Sequence, residues 1–114
     1  MKARAGSMLA LCLAAVPARA TETPLDCARA SAEVIKPARR ASERGYTGVV
    51  SDGGVGVLAA YTALRSAALN VYITAPTLKD RAFADDAVAE IGTLIEFGAA
   101  ESEAVYGLVR GRLG

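Results

Sequence analysis

The sequence predicts an all-α protein, a multi-helical bundle, on three observations. Apolar residues recur at helical spacing in three stretches, helix start and stop signals separate those stretches, and no convincing pair of strands is present. A chain of 114 residues makes one small domain at most. Its 53% hydrophobic content and net charge of +1 exclude an intrinsically disordered protein.

Residues 1–20 have the form of a secretory signal. Lys2 and Arg4 supply a basic start, Met8 to Val16 an apolar run, and Ala18-Arg19-Ala20 a small-x-small cleavage pattern before Thr21. The apolar run is too short to span a bilayer as a helix. Removing the segment leaves ten Lys and Arg against twelve Asp and Glu, a net charge of −2. It also leaves Cys27 as a lone thiol, which argues against an oxidising compartment. The same twenty residues also read as an alanine-rich helix or a misassigned start.

The first predicted helix opens at Thr23-Pro24-Leu25-Asp26, with Thr as N-cap and Pro at the first helical position. Ala28, Ala32 and Ile35, with Val34 beside them, follow at helical spacing. Pro37 is expected to kink or end this helix near Lys36, and Gly45 to stop it. Next comes Gly45-Tyr-Thr-Gly-Val-Val-Ser-Asp-Gly-Gly-Val-Gly56, where Ser51 or Asp52 would cap a helix over about 53–74. Glycine inside a helix costs about 1 kcal/mol against alanine, so a compensating close approach to bare backbone is expected there. Phosphate binding is not indicated, because the run has neither a Gly-x-Gly-x-x-Gly pattern nor a Walker lysine.

The body of this second helix, Val57 to Thr74, is apolar nearly all round, interrupted by Arg65 and Asn70. Such a helix belongs at the centre of a bundle or at an oligomer interface. That burial would require hydrogen-bond partners for Asn70, and a carboxylate or a path to water for Arg65. Arg65 and the limited apolar length argue against a membrane span. Beyond Pro76, Thr77-Leu78-Lys79-Asp80 has capping-box spacing with Asp in place of Glu. A third helix then covers about 80–110. Phe83, Ala87, Val88, Ile91, Leu94 and Ile95 form its apolar stripe, continued by Val105, Leu108 and Val109. Asp85 and Asp86 read as first-turn acids complementing the helix dipole rather than as a metal site. Gly92 and Gly98 mark a bend or close packing.

Several function classes drop out. There is no histidine, which removes Ser-His-Asp and Cys-His systems, histidine bases and nearly all catalytic zinc sites. Cys12 and Cys27 alone make neither a metal cluster nor a disulfide framework. A basic stripe for nucleic acid is missing as well.

The run Val50-Ser51-Asp52-Gly53-Gly54-Val55-Gly56-Val57-Leu58-Ala59-Ala60-Tyr61 carries a family resemblance, and it continues through Leu64-Arg65-Ser66-Ala67-Ala68-Leu69-Asn70-Val71-Tyr72-Ile73 and Leu78-Lys79-Asp80. Together with Thr21-Glu22-Thr23-Pro24-Leu25 and Asp80-Arg81-Ala82-Phe83-Ala84, it resembles the formiminotetrahydrofolate cyclodeaminase / methenyltetrahydrofolate cyclohydrolase family over residues 21–114. The resemblance implies an all-α, dimer-forming, cytoplasmic enzyme of one-carbon metabolism that uses no metal or redox cofactor. Its substrate would be a tetrahydrofolate derivative. The family hydrolyses 5,10-methenyltetrahydrofolate to 10-formyltetrahydrofolate, or releases ammonia from formiminotetrahydrofolate while closing that ring.

Such a substrate is cationic at the reacting carbon and anionic at its glutamate tail, which calls for a carboxylate near the first and Arg or Lys near the second. On the resemblance, Asp52 is the candidate carboxylate and weak candidate catalyst. Asn70 would hydrogen-bond the pterin or formyl oxygen, and Arg65 or Lys79 would meet the tail. The chain also departs from the family pattern. Residues 1–20 lack its Pro-Gly-Gly-Gly-Ser-type loop and the acidic helices that follow, Thr74 stands at the second Asn of an Asn-Val-x-x-Asn pattern, and Pro37 falls within an uninterrupted helix. The chain is therefore expected to be the C-terminal part of such a domain, behind a signal-like or misassigned 1–20. It would act as a homodimer or with a completing N-terminal partner, with no nucleic acid or membrane involved. The alternative reading is a small exported α-helical binding or scaffold protein without catalysis.

Overall fold

A computed structural model describes the backbone of residues 2–114 and the side chains of residues 19–114. Helices α1 (Lys2–Arg44), α2 (Thr47–Thr74) and α3 (Arg81–Arg112) follow one another, with a 3₁₀ turn at Ala75–Thr77 between the last two. No strand occurs among the described residues. The all-α expectation holds. The signal-like segment falls, but for Arg19 and Ala20, outside the residues whose side chains are described.

Packing follows from three-and-four spacing on every helix. Among the described side chains, Thr21, Leu25, Ala28, Ala32, Ile35 and Ser42 are the buried positions of α1. Those of α2 are Val50, Gly53, Gly54, Val57, Ala60, Leu64, Ala67, Ala68 and Val71, and those of α3 are Ala84, Ala87, Ile91, Gly98, Ser102 and Val105. Most of these side chains are small, so the helices approach closely and the few large ones, Leu25, Ile35, Leu64 and Ile91, fill what remains. Helix α2 is antiparallel to both neighbours. Helices α1 and α3 run parallel and are tied by two ion pairs, Arg29–Glu90 and Arg39–Glu101.

Three boundaries differ from the sequence reading. Helix α1 runs on through both Pro24 and Pro37 to Arg44. Burial of Ile35 and Ser42 on either side of Pro37 holds the helix together, and the Glu33 carbonyl that Pro37 leaves without a donor belongs to an exposed turn that water can serve. Helix α2 starts at Thr47, capped by the extended backbone of Tyr46, so Ser51 and Asp52 lie inside it rather than at its cap. Packing of Val50 and Gly53 against the rest of the bundle rewards that extra turn. Asp80 caps α3, accepting from the Phe83 amide at 3.0 Å. Thr77 instead donates to the Thr74 carbonyl at 2.7 Å and closes the 3₁₀ turn.

Gly53 makes the expected close approach. A Cβ there would lie 2.5 Å from Ser42 Oγ and 2.9 Å from the Ala38 carbonyl oxygen, so only glycine admits α1 at this crossing. Gly98 does the same for Tyr61 and Leu64, whereas Gly92 meets nothing within 4 Å. Two arginines finish helix ends from outside. Arg112 of α3 donates to the carbonyls of Ser42 and Glu43, both at 3.1 Å, and to that of Gly45 at 3.2 Å, satisfying the C-terminus of α1. Arg81 donates to Leu78 O at 3.1 Å.

The Arg29–Glu90 pair is bidentate, with Nη2 donating to Oε1 at 2.9 Å and Nε to Oε2, and Asp26 accepts from Nη1 at 2.9 Å. The hydrogen bonds from Arg29 hold the Glu90 carboxyl below its ordinary pKa. A carboxylate with a depressed folded pKa stabilises the fold above its unfolded value, about 4.3 for Glu, and that contribution is lost as pH falls through the folded value. The pair is solvent-exposed, so Glu90→Gln is expected to cost no more than ~1 kcal/mol at neutral pH. Urea unfolding at descending pH should show wild type and variant converging below about pH 4; a gap that persists there would assign the loss to packing.

Candidate functional site

A cleft of about 500 Å³ lies between α1 and α2, on the face away from α3. Helix α1 contributes Ala20, Thr23, Pro24 and Cys27, and α2 contributes Ala63, Ser66, Ala67, Asn70 and Thr74. Its walls are mostly apolar with a few polar groups, the usual make-up of a small-molecule site. Asn70 and Thr74 stand one helical turn apart at one end. There Thr74 Oγ1 lies 2.6 Å from the Oγ1 of buried Thr21, bridging the two helices, and donates to the Asn70 carbonyl at 2.9 Å. Among the described residues the cleft lining contains no carboxylate and no cationic side chain.

The four sequence-predicted site residues do not gather at one place. Asn70 lines the cleft. It is exposed rather than buried, because α2 packs against neighbours on one side only, and its carboxamide is therefore open to a ligand. Arg65 is also exposed. It lies over the Tyr61 ring at 5.8 Å from the centroid, a cation–π contact, and no carboxylate pairs with it among the described residues. It borders a separate, shallower hollow with Tyr61, Thr62, Ser66 and Leu69. Asp52 is exposed in the second turn of α2, about 27 Å from Asn70 at ~1.5 Å rise per residue. Lys79 is exposed in the link before α3. Sequence reasoning missed Thr23, Pro24, Cys27 and Ser66 as cleft residues. Thr23 and Pro24 had been assigned to a helix start, and only the pairing of α1 with α2 brings them opposite Asn70.

The apolar circumference of α2 is half used. Val55 is 64%, Leu69 63% and Ile73 70% exposed, with Leu58 and Tyr72 also at the surface. This chain by itself does not surround α2. No described helix is long and apolar enough to cross a membrane.

The sequence model of the formiminotransferase-cyclodeaminase family matches residues 10–93. The chain belongs to this family. A curated relative from Methylorubrum extorquens (strain AM1), named methenyltetrahydrofolate cyclohydrolase, is 46% identical over 94 residues. The match covers 82% of this chain and 45% of the relative, so the chain spans about half the length of the curated relative it matches. The cyclodeaminase-type match begins at residue 10, inside the segment that the sequence reading set apart, and takes in all of α2 and the first part of α3. Both walls of the α1–α2 cleft fall within it.

Proposed function

We propose that the chain binds a tetrahydrofolate one-carbon derivative in the α1–α2 cleft and serves the hydrolysis of 5,10-methenyltetrahydrofolate to 10-formyltetrahydrofolate. The observation that carries this reading is the 46% identity to a methenyltetrahydrofolate cyclohydrolase across 82% of the chain. In that reaction water adds to the amidinium carbon and loses a proton. The bond from that carbon to N5 then breaks, N5 takes up a proton, and the formyl group stays on N10. The steps need an oriented water and groups that accept and return protons. In this reading Asn70, which lines the cleft, hydrogen-bonds the pterin or formyl oxygen, and the apolar walls suit a ring system. Neither metal nor redox chemistry is called for.

The cleft lining lacks the carboxylate that would face the amidinium and the cation that would meet the glutamate tail. In this reading they come from a second copy of the chain or from a completing N-terminal partner, and the exposed apolar side of α2 is the surface such a partner would cover. Asp52, Arg65 and Lys79 then act, if at the site at all, across that contact. A one-carbon enzyme of this kind would work in the cytoplasm, retaining residues 1–20. An intact mass corresponding to a start at Thr21 would favour the exported alternative.

The deciding experiment follows loss of 5,10-methenyltetrahydrofolate with the purified chain alone and with the unmatched part of the Methylorubrum extorquens relative added in trans. Turnover well above the spontaneous rate in either arm is expected, and its loss with Asn70→Ala ties it to the cleft. No acceleration in both arms, together with no folate binding, would overturn the reading.

A further inference from the structure

Pro24 and Pro37 sit inside α1, and a helical proline leaves the carbonyl four residues earlier without its N–H donor. For Pro37 that carbonyl belongs to Glu33, in an exposed turn. For Pro24 it belongs to Ala20, and both Ala20 and Pro24 line the α1–α2 cleft. Among the described residues the Thr74 hydroxyl donates to Ala20 O at a long 3.4 Å. A hydroxyl has one proton, and the Thr21 hydroxyl oxygen at 2.6 Å and the Asn70 carbonyl at 2.9 Å both lie nearer to receive it. The Ala20 carbonyl thus lacks its regular helical donor, takes only this long and shared hydroxyl contact, and keeps lone-pair capacity for a further donor at the cleft end. The Asn70 carboxamide makes no side-chain hydrogen bond among the described residues and offers both a donor and an acceptor.

We propose that Pro24 exposes the Ala20 carbonyl as a ligand acceptor, forming with the Asn70 carboxamide a subsite for the donor–acceptor edge of a cyclic amide. A pterin ring presents such an edge, N–H beside C=O, so the inference rests on the folate reading and names the part of the ligand that enters this end of the cleft. Pro24 is a positioning residue here. It touches nothing polar itself and acts by withholding an N–H. The Thr21–Thr74 hydroxyl bridge holds α1 and α2 at the separation that lets one ligand edge reach both partners.

Pro24→Ala separates this role from a structural one, because it restores the helical donor to Ala20 and relieves an interior proline. The variant is expected to melt several degrees higher, since proline is the poorest helix-interior residue. It is also expected to bind 5-formyltetrahydrofolate, the probe, about tenfold more weakly by titration calorimetry, the loss of one hydrogen bond's discrimination. Asn70→Ala, at an exposed position, should weaken binding to a similar extent with the melting temperature unchanged. A Pro24→Ala chain that is more stable and binds within twofold of wild type would overturn the inference and leave the folate reading intact. Wild type that binds no probe, either alone or with the unmatched part of the Methylorubrum extorquens relative added in trans, would overturn the folate reading, and this inference with it.

Discussion

Gly53→Val is expected to destabilise the fold by about 3 kcal/mol, the upper end of what overpacking a tight contact costs. A side chain at this position meets Ser42 Oγ at 2.5 Å, and the Ala38 carbonyl oxygen and Ser42 amide nitrogen at 2.9 Å. Two of those three atoms are backbone of α1 and cannot rotate aside, so α1 and α2 must separate at this crossing. Gly107→Ala is the matched control. Nothing lies within 4 Å of its added methyl, and replacing an interior helical glycine should add about 1 kcal/mol. Urea unfolding followed by circular dichroism measures both. Equal midpoints for Gly53→Val and wild type would mean that α1 and α2 do not cross at Gly53.

Leu64→Ala is expected to cost about 3 kcal/mol, within the range for deleting a fully buried leucine. Leu64 is 0% exposed and belongs to the larger core cluster with Leu25, Ala28, Val71 and Ile91, where α1, α2 and α3 meet. Its neighbours are largely alanines, too short to collapse into the space, so most of the cavity remains. A small domain holds only about 5–15 kcal/mol in all, so either substitution removes a large part of it. Thermal unfolding with an unchanged midpoint for Leu64→Ala would show that α2 is not the centre of the core.

Most of the architecture is legible in the residues. The spacing of Ala28, Ala32 and Ile35, and of Ala87 and Ile91, names buried faces correctly, and Gly53 and Gly98 mark true close contacts. Val34 and Val88, read with those stripes, are 53% and 41% exposed, since residues beside a narrow three-helix seam turn outward. Local signals misplaced the boundaries. Pro24, Pro37, Ser51 and Asp52 each favour a helix end by intrinsic preference. Each of those preferences is worth about one to three kcal/mol, and burial of the residues around them outweighs it.

The candidate site was legible only at Asn70. Asp52 stood out as a carboxylate beside glycines, and Arg65 and Lys79 as cations that could meet an anionic substrate tail. The cleft instead gathers Thr23, Pro24, Cys27 and Ser66, ordinary residues made adjacent by the pairing of two helices. Helical class, core spacing, glycine contacts and family follow from the sequence by itself, because each depends on residues near one another along the chain or on their order. The position of the candidate cleft was decided by tertiary structure alone. It depends on which face of α1 meets which face of α2, and so brings Ala20 opposite Thr74 and Asn70, 54 and 50 positions further along the chain.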